Sequence, residues 1–187
     1  MGSLALASLM DGLLIGFVYG VAAMGLSLIW GVMDVINLAH APLIAAGMFG
    51  VYLLFTSVGL DPYLALILIA AVGLVAGVFI YYVAIHRVLS APPLSTLLAT
   101  YAVNMILIGI GTAIFTTTPR NVNFTLGSVG TGDFLVQGTR LVAAVLASAI
   151  TAALYFFLYR TRPGKNIRAV ANNRALRRGS YGMRTTD

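Results

Sequence analysis

Five uncharged stretches, each about as long as a bilayer is thick, dominate this sequence of 187 residues. A membrane-spanning helix needs about 20 mostly apolar residues in a row. The uncharged runs hold 22, 20, 24, 32 and 19 residues, and they lie between Asp11 and Asp34, His40 and Asp61, Asp61 and His86, Arg87 and Arg120, and Arg140 and Arg160. Only 9% of the residues are charged, against about a quarter in a soluble domain. The chain is therefore not expected to be a water-soluble enzyme.

These runs predict an all-α fold, a polytopic membrane helix bundle with about five transmembrane helices in a single domain over residues 1–187. Helices are the expected form because lipid cannot satisfy exposed backbone groups. The predicted spans are 9–30, 40–57, 62–84, 94–116 and 140–159. Five of the six prolines fall at their edges, where helices begin or end: Pro62, Pro92, Pro93, Pro119 and Pro163.

The positive charge is confined to one end of the chain. Residues 1–159 carry three basic and four acidic residues, whereas residues 160–187 carry eight basic residues and one acid. Loops rich in Lys and Arg stay in the cytoplasm. The sequence thus predicts a multi-pass protein of the plasma membrane with a cytoplasmic tail at 160–187 and, after five spans, an N-terminus outside.

The basic tail itself has two interpretations. Apolar residues at 167, 170, 171 and 175 follow helical spacing, which predicts an amphipathic helix after the turn at Pro163-Gly164. Such a helix could attach to anionic membrane lipid through its cations, or it could dock on a cytosolic protein. Nucleic acid is not an expected partner, because Tyr181 is the one aromatic residue there that could stack on a base.

Small residues recur at four-residue spacing in two spans. This pattern lets helix backbones approach closely in membranes. The predicted helix-packing positions are Gly12, Gly16 and Gly20 in the first span, and Gly73 and Gly77 in the third.

Two polar groups interrupt the apolar sequence and are candidates for a translocation pathway. Asn37 and His40 lie with Asp34 between the first two spans, where they either cap the second helix or stand at the inner mouth of a pathway. Thr100 and Asn104 lie one turn apart in the fourth span. They either line a pathway or bond a neighbouring helix.

The sequence predicts no catalytic residue, metal site or cofactor. There is no cysteine, no nucleophile–histidine–acid set and no glycine-rich phosphate loop. The chain is therefore expected to be a transport subunit and not an enzyme, with any ATP hydrolysis performed by a separate subunit.

Three segments resemble one family, the bacterial permeases of the branched-chain amino-acid type found in ATP-binding-cassette importers. The run from Gly31 to His40 (GVMDVINLAH) resembles the family's G-x-x-x-x-I-N-F-A-H segment. Residues 98–107 (LATYAVNMIL) and 115–120 (FTTTPR) resemble its A-T-x-G-L-S-x-I-L and F-G-x-x-P-R segments. Residues 164–174 (GKNIRAVANNR) resemble its G-x-x-x-R-A-x-A-x-N coupling segment. The matches occur in the family's order.

The resemblance implies a permease subunit of an ATP-driven importer for branched-chain amino acids or related small amino acids and amides, in the bacterial inner membrane. It implies as partners a second permease subunit, two cytosolic ATP-binding subunits and a periplasmic solute-binding protein. It implies that residues 160–187 form a cytoplasmic coupling loop. The implied ATPase-coupling residues are Gly164, Ile167, Arg168, Ala169, Val170, Ala171, Asn172, Asn173, Arg174, Gly182 and Met183.

Two further expectations remain open at this point. The family's permeases continue for several spans beyond such a loop, so the chain is expected to be a C-terminally truncated piece of a longer permease. The alternative function is a passive channel or an ion-coupled carrier for a small polar solute such as urea. Carriers usually need acids or broken helices inside the membrane, and no predicted span holds an acid in its interior.

Overall fold

The computed structural model describes residues 2–33, 35–89, 91–129, 136–169 and 171. Five long helices make up most of this part of the chain. They are α1 (Gly2–Met33), α2 (His40–Val58), α3 (Pro62–Ile80), α4 (Pro93–Phe115) and α5 (Gly138–Arg160). A shorter helix, α6, follows over residues 162–169.

All five long helices are long and apolar enough to cross a membrane. The candidate spans are Ala5–Met33, His40–Val58, Pro62–Val88, Leu94–Phe115 and Gly138–Arg160. The predicted number of spans and the all-α fold class are confirmed. The predicted boundaries agree with these spans to within about four residues, with the largest differences at the start of the first span and the end of the third.

The helices form two compact units, the first comprising Met1–Asp34 with Thr125–Asp187 and the second Val35–Phe124. In the first unit, α1 packs along α5, on which Ala144 and Ala147 are buried. Asp11 of α1 forms an ion pair with Arg140 of α5, and each side chain is 40% exposed. An ion-paired carboxylate lies within an apolar helix at a lower cost than an unpaired one.

A short antiparallel ladder precedes α5 in the same unit. Strand β1 (Ser128–Val129) pairs with β2 (Val136–Gln137), and Ser128 lies opposite Gln137. Next to the ladder, the Gly138 N–H donates to the carbonyl of Gly127 at 2.8 Å. The predicted loop at 117–139 thus contains a small ordered element that the sequence did not indicate.

In the second unit, a three-residue turn joins α2 to α3. Gly59 ends α2 with a φ of 70°, a left-handed conformation that glycine adopts without steric cost. Asp61 caps α3, and its carboxylate accepts a hydrogen bond from the Tyr63 N–H at 2.8 Å. The turn brings α2 and α3 together so closely that a Cβ added at Gly50 would lie 2.6 Å from Ile69 Cδ1.

The far end of α3 departs from α-helical geometry. Tyr81–Ile85 forms a π-helical turn, and His86–Val88 forms a 3₁₀ turn. The rings of Tyr81, Tyr82 and His86 cluster there, with centroids 5.3 to 5.9 Å apart. Single π turns inside helices are uncommon and widen the helix locally, and the sequence analysis did not predict this one.

Candidate functional site

The strongest candidate site is the elbow between α5 and α6, defined here as residues 157–168. Thr161 ends one helix and starts the other. Its hydroxyl donates to the Phe157 carbonyl of α5 at 2.6 Å and accepts from the Gly164 N–H of α6 at 3.1 Å. An N-cap threonine satisfies a backbone donor that a helix start leaves unpaired. One residue therefore fixes the direction change between a span and the helix that follows it.

Gly164 lets the two helices approach at this elbow. The residue is buried, and a Cβ added to it would lie 2.2 Å from the Phe157 carbonyl oxygen and 2.7 Å from Leu158 Cα. Both neighbours are backbone atoms, so they cannot turn away as a side chain could. The position accepts no residue larger than glycine without displacement of the helices.

Arg168, one turn after Gly164 in α6, also contacts α5. Its Nε donates to the Leu158 carbonyl at 3.0 Å. That carbonyl is among the last four of α5, which have no partner inside the helix. The guanidinium carbon also lies 4.2 Å from the centroid of the Tyr159 ring, which stacks in turn on Tyr155. A cation here also complements the negative end of the α5 dipole.

The elbow therefore holds two of the residues that the coupling resemblance implied, Gly164 and Arg168, against the protein's own span. Ile167 and Ala171, four residues apart, are half-buried, and Ala169 is exposed. The remaining coupling residues lie outside the described residues: Val170, Asn172, Asn173, Arg174, Gly182 and Met183. Whether any of this set contacts an ATPase stays a prediction.

A second polar group lies in the second unit, where α4 meets the segment between residues 35 and 39. The Thr100 side chain is 1% exposed, and its hydroxyl is 3.0 Å from the carbonyl oxygens of both Ile36 and Leu97. Val35 and Ala39 are buried in the same region. The Thr100 hydroxyl thus bonds a neighbouring segment, and a pathway role for Thr100 stays a prediction.

The other pathway candidates are less enclosed. Asn37 is half-buried, and its side-chain oxygen accepts from the Ala39 N–H at 3.1 Å, just before α2 begins. This is an Asx-type turn before the helix, and Ala39, at the N-cap of α2, provides no side-chain cap. His40 and Asn104 are half-buried. A pathway lined by Asn37, His40 and Asn104 stays a prediction.

The predicted helix-packing glycines have open space at the Cβ position in the described part of the chain. No described atom would lie within 4 Å of a Cβ added at Gly12, Gly16, Gly20, Gly73 or Gly77. Close packing occurs instead at Gly50, as described above. The packing role of the two predicted faces stays a prediction, and it now requires a partner outside the described residues.

Thr161, Leu158 and Tyr159 were missed as parts of the elbow. Their signal was a threonine two residues before Pro163, since Thr is a good N-cap and proline is favoured in the first helical turn. As for metal sites, no group of three His, Cys, Asp or Glu side chains comes together among the described residues.

Comparison with known proteins gives one result that bears on this site. The family model for the permease component of branched-chain amino acid transport systems matches residues 8–184. The match includes all five spans, the elbow and the segment after it. A search of the curated proteins and a search of the solved structures found no match.

Proposed function

The chain belongs to the family of permease components of branched-chain amino acid transport systems, and from this premise we propose that it is the membrane-spanning subunit of an ATP-driven importer. The proposed substrates are branched-chain amino acids or related small amino acids and amides. The proposed location is the bacterial inner membrane, with the basic tail in the cytoplasm. The charge asymmetry supports this orientation, since eight of the 11 basic residues follow Tyr159.

The observation that carries the proposal is the construction of the elbow. A transport subunit driven by another protein needs an element that receives a push and passes it to the spans. α6 is joined to α5 by a shared cap at Thr161, by backbone contact at Gly164 and by the Arg168 bond to Leu158. A displacement of α6 would therefore move α5 by a similar amount, because closely packed protein elements move together as rigid bodies.

Under this proposal, the chain itself performs no covalent chemistry. Two ATP-binding subunits would seat α6 and the residues after it. A second permease subunit would complete the pathway, and a periplasmic solute-binding protein would deliver substrate to the outer side. Closure of the ATP-binding subunits would shift the equilibrium between two arrangements of the spans, which is coupling of two sites through a change of population.

The decisive experiment compares ATP-driven with passive transport in the reconstituted assembly. Proteoliposomes containing the permease, the ATP-binding subunits and the solute-binding protein should take up labelled leucine with ATP and not without it. Uptake that is equally fast without ATP would instead support a channel. Uptake driven by an ion gradient alone would support a carrier.

The coupling role has its own test at Ala171. Ala171→Glu places a charge on the half-buried face of the helical segment and should lower ATP-driven uptake at least about tenfold, with the chain still inserted and α1 to α5 intact. Neutralising Arg177 and Arg178 with glutamine is the control, since a helix held in a protein cleft depends more on its apolar face than on scattered cations. A larger loss from the arginine pair would show that the tail acts as a lipid anchor.

A further inference from the structure

A cleft of about 430 Å³ runs along α2 in the second unit. Its floor is apolar and comes mainly from one face of α2, with Leu66 of α3 at its side. Along α2 the lining extends from Ala45 to Tyr52, which is about 10 Å at 1.5 Å per residue. At the end near Tyr52 the lining changes character, because Arg120 and Asn121 of the segment after α4 lie there.

Arg120 brings to this cleft a positive charge that has no carboxylate partner among the described residues. The guanidinium carbon lies 6.0 Å from the centroid of the Tyr52 ring. Asp61 is the sole acidic residue in the sequence of this unit. Its carboxylate caps α3 at Tyr63, and no described carboxylate lies within 4 Å of the Arg120 guanidinium. The cleft therefore offers one cation and no described anion.

The position of Arg120 corresponds to the headgroup level of a bilayer. At this end of the unit α2 ends, α3 begins and α4 ends, so a membrane crossed by these helices has its surface here. Phe124 packs edge-on against Phe55 and Tyr63, with ring centroids 6.3 and 5.9 Å apart. Aromatic residues of this kind gather at membrane interfaces. From Arg120 the cleft descends into the depth occupied by acyl chains.

We propose that the cleft binds one anionic phospholipid. Its phosphate is held by the Arg120 guanidinium and the Asn121 side chain, and one acyl chain lies along α2 over Met48 and Phe49. A free amino acid fits this lining less well, because it is a zwitterion and its ammonium group would lie in an apolar cleft without a carboxylate. Burial of an unpaired charge is strongly unfavourable. The proposal does not depend on the proposed transport function.

Native mass spectrometry of the purified 187-residue chain tests the headgroup. The chain is released from mixed micelles that contain equal amounts of phosphatidylglycerol and phosphatidylcholine. The wild type should retain phosphatidylglycerol in preference, and Arg120→Gln should lower that preference about fivefold, as expected for loss of one cation near an anionic lipid. Arg87→Gln is the matched control, since Arg87 is exposed and lies at the other end of the unit. An equal effect of the two substitutions would overturn the site.

Two competitors test the identity of the ligand. Glycerophosphoglycerol carries the same headgroup without acyl chains and should not displace bound phosphatidylglycerol, because the cleft below Arg120 contributes to binding. Displacement by this headgroup alone would reduce the site to a surface anion contact and overturn the proposal. Displacement by leucine would overturn it in favour of a substrate site.

Discussion

The glycines of this protein fall into two groups with opposite surroundings. At Gly164 an added Cβ would lie 2.2 Å from a backbone oxygen, and at Gly50 it would lie 2.6 Å from a side-chain carbon. Along the stripe of Gly12, Gly16 and Gly20, no described atom would lie within 4 Å. The regularly spaced stripe is the stronger sequence motif. Helices of this chain nevertheless approach each other at Gly164 and Gly50, which belong to no such motif.

The contrast shows what spacing can and cannot establish. Glycines four residues apart guarantee a smooth helix face, since residues i and i+4 lie one above the other. They do not specify what covers that face. Gly164 is different because its partner is supplied by the chain itself, seven residues earlier, through the turn that Thr161 begins. Local connectivity, and not the motif, determines the contact.

The largest effect is expected for Gly164→Ala. The added methyl group would meet three backbone atoms of α5 that cannot rotate away, so α6 has to shift or detach. Overpacking costs about 1–3 kcal/mol, occasionally more, and we expect the upper part of this range. The measurement is reversible unfolding in mixed micelles, combined with proteolysis after residue 160 as a local readout.

The control for Gly164→Ala is Gly109→Ala in α4, where no described atom lies within 4 Å of the new methyl group. That variant should be at least as stable as the wild type, since alanine favours a helix more than glycine does. If both variants behave alike, the elbow is looser than the backbone contacts indicate, and a rigid link between α5 and α6 is ruled out.

A smaller loss is expected for Gly50→Ala. Here the new methyl group meets Ile69 Cδ1, the end of a flexible side chain, so the clash can be relieved by rotation. We expect a loss of about 1 kcal/mol, below that at Gly164. Ile69→Val removes the clashing carbon, and the double variant should recover most of the loss in a double-mutant cycle. Additive losses would show that the loss at Gly50 comes from the separation of the α2 and α3 backbones and not from contact with the Ile69 side chain.

The five spans could be predicted from the sequence because uncharged length is a local property. Contacts between distant residues could not be predicted in this way. Asp11 of α1 pairs with Arg140, which lies on a helix far along the chain. The same applies to Thr100, whose partner Ile36 is 64 residues away. Its spacing from Asn104 indicated a polar face but not which of the two interpretations applies.

The elbow was predictable only in outline. The helix after α5 follows from local preferences and is present, but it begins at residue 162, so Pro163 and Gly164 lie in its first turn and not in the predicted turn before it. The direction of the Arg168 side chain does not follow from them. Sequence resemblance placed Arg168 among residues for an ATPase, whereas in the structure its guanidinium lies against Leu158 and Tyr159 of the protein's own span. Arg168, on the predicted cytoplasmic helix, thus holds α6 against α5 of the same chain.

The smallest effect on the stability of the isolated chain is expected for Gly16→Leu. The same variant tests whether this helix face contacts a second permease subunit. No described atom lies within 4 Å of a Cβ added at Gly16, so we expect unfolding of the purified chain to change by less than about 0.5 kcal/mol. Gly109→Leu makes the same change on an exposed face of α4 and should change the stability equally little.

If the stripe is a packing face for a second permease subunit, only Gly16→Leu should weaken assembly, because close backbone approach requires small residues. Co-purification of two differently tagged permease subunits measures this. Equal recovery with both variants would mean that the stripe of Gly12, Gly16 and Gly20 contacts lipid.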